Sequence, residues 1–294
     1  MLYYPFMLTY LQAIILGAVQ GITELFPISS LGHSIILPTL LGWNINQGAD
    51  FFLIFLVATH FATALVLFIY FWKDWKRIIL GLLRSIKHIT IVGDRDARLG
   101  WLLVVGTVPA GLLGLLFQNK LQALFASPKY VSIFLVCNGF VLFAAEYLRK
   151  KKQSVANEQA ATDKNAELAK LSWTNSFKVG LAQALALIPG FSRTGSALGG
   201  GLLVGLDHEE AARFAFLLAT PIIGAAAALK LPHFLLHIHS YPAGPIFVGA
   251  LCAAIFAYLA IKFLMKYFKT KTLTPFAVYC ILAGAASAAF FFLK

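Results

Sequence analysis

Apolar residues fall along this chain in six runs of membrane-crossing length, at about 51–72, 99–117, 130–148, 211–230, 245–265 and 274–293. At 1.5 Å of rise per residue, each covers about 30 Å of hydrocarbon as one helix. Two more stretches, 8–42 and 176–206, are apolar but break near the middle, at Phe26-Pro27-Ile28-Ser29-Ser30 and Ile188-Pro189-Gly190-Phe191-Ser192. Proline lacks an amide donor and pushes the residue before it out of the helical region. Each broken stretch therefore predicts two short arms around a turn. The polar run 149–178, mixed in charge, reads as a linker or loop. Asp207 and Glu210, three apart ahead of the fourth span, predict an N-cap and a capping box.

The two broken stretches share a layout. Both open on Gly-x-x-Gln, at Gly17–Gln20 and Gly180–Gln183, and reach a proline six or seven residues after the glutamine. Both place a serine three residues past that proline, at Ser30 and Ser192, and both precede three spans. This order predicts an all-α integral membrane protein of two repeats, each a re-entrant helical hairpin plus three transmembrane helices. The first repeat covers about 8–148, a cytoplasmic loop covers 149–175, and the second repeat covers about 176–293, within one membrane domain over 1–294. An odd number of spans per copy inverts the second copy relative to the first. Irregular backbone at mid-membrane depth is tolerated only where protein or a water-filled cavity satisfies it. In inverted-repeat membrane proteins ligands bind where such broken helices meet. The two proline breaks are the predicted site.

Composition fits this plan. The chain is 60% hydrophobic and 12% charged, against about 25% charged in soluble domains. The start lacks a basic region and a small-residue cleavage site, so no removable signal peptide is expected. Cys137, Cys252 and Cys280 lie in apolar runs at unrelated spacings and read as small core hydrophobes, with no disulfide framework or thiolate metal site. A net charge of +12 would suit nucleic acid, but its distribution argues otherwise. Seven Lys/Arg lie in 73–98, seven in 149–178 and four in 262–273, while 27–50 holds none, 118–129 two and 230–244 one. That alternation is the positive-inside signature of cytoplasmic loops.

The breaks carry costly polar groups. Gln20 and Glu24 are four apart, hence on one helix face. A charge at the centre of a span costs about 2.5–3.5 kcal/mol on insertion scales, so it faces a partner or a cavity. Glu24 either satisfies loose backbone beside Pro27 or serves chemistry. Ser29, Ser30, Gly32 and His33 follow in a tight turn whose amides suit an anion. At the second break Arg193 stands between Ser192 and Thr194; its planar fork matches phosphate oxygens. The competing structural reading is an Arg193–Glu24 ion pair that clips the repeats together. The run Gly199-Gly200-Gly201 suits close helix approach. Together, Glu24 as acid or base, Ser30 as nucleophile, His33 as proton shuttle and Arg193 as anion clamp form a phosphoryl-transfer or hydrolysis set. Its depth points to a substrate that arrives through lipid.

The stretches QGITELFPISSLGH (20–33) and PGFSRTG (189–195) resemble the two signature motifs of the bacterial undecaprenyl-diphosphate phosphatase, or bacitracin-resistance, family. One motif is Glu or Gln, three residues, Glu, then Ser-Ser-x-Gly-His; the other is Pro-Gly-x-Ser-Arg-Ser-x-x-Thr. The likeness covers essentially the whole chain. It implies hydrolysis of undecaprenyl diphosphate to the monophosphate, which recycles the lipid carrier of cell-wall synthesis, in the bacterial plasma membrane. It also implies Ser30 as nucleophile, His33 as the motif histidine, Arg193 on the diphosphate, and Gln20, Ser29, Ser192 and Thr194 around it. A divalent cation, Mg²⁺ or Ca²⁺, is implied by the family only; with only Glu24 and Gln20 nearby, the residues themselves do not show a metal site. A homodimer is compatible with this plan. The chain departs from the pattern at Leu31, at Thr194 and at Ala197, where the motif ends in threonine. His60, mid-span, stands where the family pattern suggests glutamine, and reads as a proton group behind the site or a hydrogen-bonded core histidine.

A lipid-phosphate flippase or ion-coupled transporter of the same architecture is the rival reading. There Glu24 and His33 would carry protons and Arg193 would bind a head group; a carrier has no need of the Ser30 nucleophile. The soluble-loop lipid phosphatases require a Lys-x6-Arg-Pro motif that is absent. His233, His237 and His239, near Pro232 and Pro242, read as incidental loop residues.

Overall fold

The computed structural model describes residues 8–125, 127–153, 168–236, 241 and 243–293. Its helices are α1 (Tyr10–Leu25), α2 (Ser30–Leu40), α3 (Asp50–Tyr70), α4 (Trp72–His88), α5 (Arg95–Phe125), α6 (Pro128–Gln153), α7 (Trp173–Gln183), α8 (Arg193–Leu203), α9 (His208–Leu236), α10 (Ala243–Tyr267) and α11 (Thr274–Leu293). Six are long and apolar enough to cross a membrane: α3, α5, α6, α9, α10 and α11. Each predicted run coincides with one of them to within a few residues. The protein is an all-α, multi-pass membrane protein, with no strand among the described residues.

Each broken stretch folds as two short helices with a sharp turn. In the first, Thr9 and Gln12 form a capping box that starts α1. Pro27 ends it: Phe26 is held extended, at φ −70° and ψ 144°. Ser29 then takes φ +69°, unusual for a non-glycine residue, and its Oγ accepts from the Gly32 amide at 3.2 Å to open α2. In the second stretch, α7 tightens into a 3₁₀ turn (Ala184–Leu187) before Pro189. Gly190 adopts φ +99°, and a Cβ there would sit 2.6 Å from the Val131 carbonyl oxygen. Ser192 caps α8 through the Gly195 amide at 3.0 Å.

Glycine sets how deeply these hairpins seat. A Cβ on Gly17 would lie 2.2 Å from the Gly249 carbonyl oxygen, so α1 and α10 cross backbone to backbone. A Cβ on Gly180 would lie 2.1 Å from the Gly106 carbonyl oxygen, and α7 crosses α5 in the same way. Small residues at helix crossings gain van der Waals contact in a membrane, where no hydrophobic effect drives helices together. Gly200 and Gly201 serve likewise, against Ala182 and Ala211.

Two features lay outside the sequence reading. The basic segment 73–98 is not a plain loop, because 72–88 folds as α4. Its buried positions Trp75, Ile78, Gly81 and Ser85 recur every three to four residues, but the lysines and arginines between them dilute the apolar average. The ends of the chain's halves are also tied by polar contacts. Arg98 donates to the carbonyls of Ala169 (2.6 Å) and Leu171 (3.1 Å) and lies over Trp173, while buried Glu146 accepts from His208 (2.9 Å) and the Leu273 amide (3.2 Å). Asp207 and Glu210 form the expected reciprocal box, at 2.7 and 2.9 Å. The three cysteines are free. His237 and His239 lie outside the described residues, as does the side chain of His233.

The crossings give a paired prediction. Gly17→Ala should cost about 1–3 kcal/mol, because a methyl group there meets backbone that has no room to move. Gly111→Ala, where nothing lies within 4 Å, should be neutral or gain up to about 1 kcal/mol of helix propensity. Thermal unfolding midpoints of the two variants in one detergent check this.

Candidate active site

The two turns meet. Asn138 of α6 stands between them, donating from Nδ2 to the Pro27 carbonyl (3.1 Å) and accepting at Oδ1 from the Ser192 amide (3.0 Å). Thr194 Oγ1 donates to the Glu24 carbonyl at 2.8 Å, and Ser192 Oγ to the Phe26 carbonyl at 3.3 Å. Carbonyls freed when Pro27 ends α1 thus find donors on the other hairpin, as buried backbone requires.

Glu24, 5% exposed, is the centre of this junction. The last turn of α1 sets Gln20 beside it, with Nε2 donating to Oε2 at 3.1 Å. Ser30, the first residue of α2, donates from Oγ to the same oxygen at 2.5 Å. His60 of α3 brings Nε2 to 3.2 Å from it. Arg193, the first residue of α8, places Nη1 3.4 Å from Oε1. His60 Nδ1 lies 2.7 Å from the Leu56 carbonyl, which can only accept, so Nδ1 carries a hydrogen.

Two buried atoms here lack hydrogen-bond partners: Gln20 Oε1 and Arg193 Nη1. Next to Arg193 is a small, mainly polar cavity of about 40 Å³, walled by Thr23, Glu24, Ser30, His60, Ser192 and Arg193 itself. A second cavity of about 500 Å³ shares Leu31, His60 and Arg193 with it and is otherwise mostly apolar, with walls from Ile35, Phe52, Leu56 and Ile223. A small polar pocket thus adjoins a larger, mostly apolar one.

A family model described as bacitracin resistance protein BacA matches residues 13–286. The chain belongs to that family. Among similar family members is a protein of Mycolicibacterium paratuberculosis named undecaprenyl-diphosphatase, 43% identical over 295 residues, covering 95% of this chain and 96% of its own. One from Acidiphilium cryptum with the same name is 44% identical over 287 residues, covering 95% and 97%. One from Chromobacterium violaceum, undecaprenyl-diphosphatase 2, is 43% identical over 285 residues, covering 95% and 98%. These family relatives align nearly end to end with the chain, so the likeness includes both hairpins and all six spans.

Within this member of the family, Gln20, Glu24, Ser30, Arg193 and His60 come together. His33 does not join them: Nδ1 bonds the Ser29 carbonyl at 2.6 Å, Nε2 meets Tyr279 Oη at 2.8 Å, and the ring lines neither cavity. Ser29, Ser192 and Thr194, expected around a diphosphate, spend their hydroxyls on helix caps and on the junction. Leu31 lines both cavities, and Ala197 is buried in the core. The residue of this junction that the sequence did not single out is Asn138. Its signal was present, a lone amide in the apolar run 130–148.

A divalent cation of the kind the family implies would have to sit at Glu24. Oε2 of Glu24 already meets Ser30, Gln20 and His60, and Oε1 faces a guanidinium. Among the described residues no three His, Cys, Asp or Glu gather. Mg²⁺ and Ca²⁺ require six or more oxygens. One carboxylate shared with an arginine, plus the free Gln20 Oε1, supplies too few oxygens to hold such an ion without water or substrate oxygens.

Asn138→Leu should cost about 2–5 kcal/mol, since it leaves the Ser192 amide and the Pro27 carbonyl buried without partners. A drop in thermal midpoint exceeding that of Asn138→Asp would check that the apolar replacement, rather than the change of side chain alone, is responsible.

Proposed function

We propose that this chain hydrolyses undecaprenyl diphosphate to undecaprenyl phosphate and inorganic phosphate in the bacterial plasma membrane. The observation that carries the reading is the Ser30 hydroxyl, held 2.5 Å from the Glu24 carboxylate in the wall of a cavity that Arg193 also lines. A carrier has no use for a hydroxyl coupled to a base. The names of relatives above 40% identity and the adjoining apolar cavity support a prenyl diphosphate substrate.

In this reading Arg193 binds the terminal phosphate, whose oxygens accept from a guanidinium that is ion-paired but not hydrogen-bonded at Nη1. Glu24 takes the Ser30 proton as Oγ attacks the terminal phosphorus. The bond from that phosphorus to the bridging oxygen breaks, and undecaprenyl phosphate leaves. Water then cleaves the phosphoserine, inorganic phosphate departs and Ser30 regains its proton. His60 and Gln20 hold the carboxylate in place, and His33, bonded to Ser29 and Tyr279, orients the start of α2.

We read the fold further as two inverted repeats, α1–α2 with α3, α5 and α6, and α7–α8 with α9, α10 and α11. The reciprocal glycine crossings support this. The first arm of each hairpin packs on the middle span of the other half, Gly17 on Gly249 and Gly180 on Gly106.

Purified protein should release inorganic phosphate from undecaprenyl diphosphate. Ser30→Ala should lower turnover about 1000-fold or more, and Glu24→Gln and Arg193→Ala about 100-fold each. Unchanged turnover in Ser30→Ala would remove Ser30 as nucleophile. Wild-type protein that moves lipid phosphates across liposomes without releasing phosphate would overturn the hydrolase reading in favour of a carrier.

A further inference from the structure

Helix α4 has three faces rather than two. Trp75, Ile78, Gly81 and Ser85 are buried on α5, where Gly81 abuts the Ala97 backbone and Ser85 Oγ accepts from Trp101 Nε1 at 3.0 Å. At 100° per residue, Trp72, Ile79, Leu83 and Ile86 form a second stripe, and all four are exposed, Leu83 and Ile86 by 58% and 63%. Lys73, Lys76, Arg77, Arg84 and Lys87 form the third, also exposed. Arg77 pairs with Asp96 and Arg84 with Asp94. Lys73, Lys76 and Lys87 have no acidic partner among the described residues.

The turn after α4 continues the pattern. Ile89 is 92% exposed and Val92 91%. Ile89 also ends the helix at φ +50°, a conformation in which a β-branched residue is strained and glycine or asparagine is the usual choice. Water gives no reason to keep isoleucine there; hydrocarbon does. Because α4 sits between the spans α3 and α5, both its ends lie at one membrane boundary. An apolar stripe beside a lysine face, at that depth, is the pattern of a helix lying in the interface.

We propose that α4 and the turn behind it dock on the anionic phospholipids of the leaflet they face, with Trp72, Ile79, Leu83, Ile86 and Ile89 among the acyl chains and Lys73, Lys76 and Lys87 on the head-group phosphates. Bulk phospholipid is the occupant because three unpaired cations along one helix match a surface of separate phosphates, and the adjoining stripe matches hydrocarbon. The proposal does not depend on the phosphatase reading. It extends inward through Asp74 of α4, which meets Arg213 of α9 at 2.7 Å.

The test uses purified full-length protein in micelles holding equal amounts of phosphatidylglycerol and phosphatidylcholine, with retained lipid counted by native mass spectrometry. Wild-type protein should retain phosphatidylglycerol selectively. Lys73→Gln/Lys76→Gln/Lys87→Gln should weaken that retention about 100-fold, at about five-fold per lysine, with an unchanged thermal midpoint. The corresponding triple arginine variant should keep it. Equal retention in the glutamine variant and wild type would overturn the proposal, as would selective loss on Lys262→Gln/Lys266→Gln/Lys269→Gln instead. A spin label at Leu83→Cys, with Cys137, Cys252 and Cys280 changed to alanine, gives an independent measure in phosphatidylglycerol vesicles. It should be relaxed more by oxygen than by a water-soluble nickel complex; the reverse order would overturn the placement.

Discussion

The buried carboxylate of Glu24 is the constraint around which the two halves of this protein are arranged. A charge at membrane depth is costly until other groups surround it, and no single helix supplies enough of them. Here α1 contributes Gln20, α2 contributes Ser30, α3 contributes His60 and α8 contributes Arg193. Each of these groups would be a buried liability by itself. Assembled, they satisfy one another except for Arg193 Nη1 and Gln20 Oε1, which are buried without a hydrogen-bond partner.

That assembly requires helices to stop inside the membrane, which exposes backbone that lipid cannot satisfy. Pro27 and Pro189 end the first arms, and the opposite hairpin and α6 then supply the missing donors and acceptors. Asn138 joins both turns at once, while Thr194 and Ser192 reach back to carbonyls at the end of α1. The hydroxyls nearest the site are therefore mainly structural. In the proposed reading charge recognition falls to Arg193, and the Ser30 hydroxyl, paired with a carboxylate, is the group left for reaction. The glycine crossings at Gly17 and Gly180 let the hairpins sink far enough for these contacts to form.

Charge plays a different part at the membrane boundary. Along α4 it hides a helix from an apolar average, and in the folded protein it separates a packed face from an exposed apolar one. The Asp74–Arg213 and Arg98–Ala169 contacts show the same boundary tying elements distant in sequence. Polar groups there are close enough to water to be cheap, so ties between the halves can be ionic; at mid-depth the ties are mainly amide and hydroxyl, gathered around the one Arg193–Glu24 pair.

The sequence by itself determined the six spans, the two broken stretches and the grouping of Gln20, Glu24 and Ser30 at one break with Arg193 at the other. Hydrophobic length, proline and the cost of buried charge are local properties, and each is written in a run of neighbouring residues. Only the tertiary structure decided which polar groups face which. His33 sits three residues from Ser30 yet turns to Tyr279 of α11, while His60, from another span, reaches Glu24. Asn138 was a lone amide in an apolar run until the fold set it between two turns some 160 residues apart. The direction of a side chain in a membrane is fixed by the partner that relieves its burial, and that partner lies on another helix.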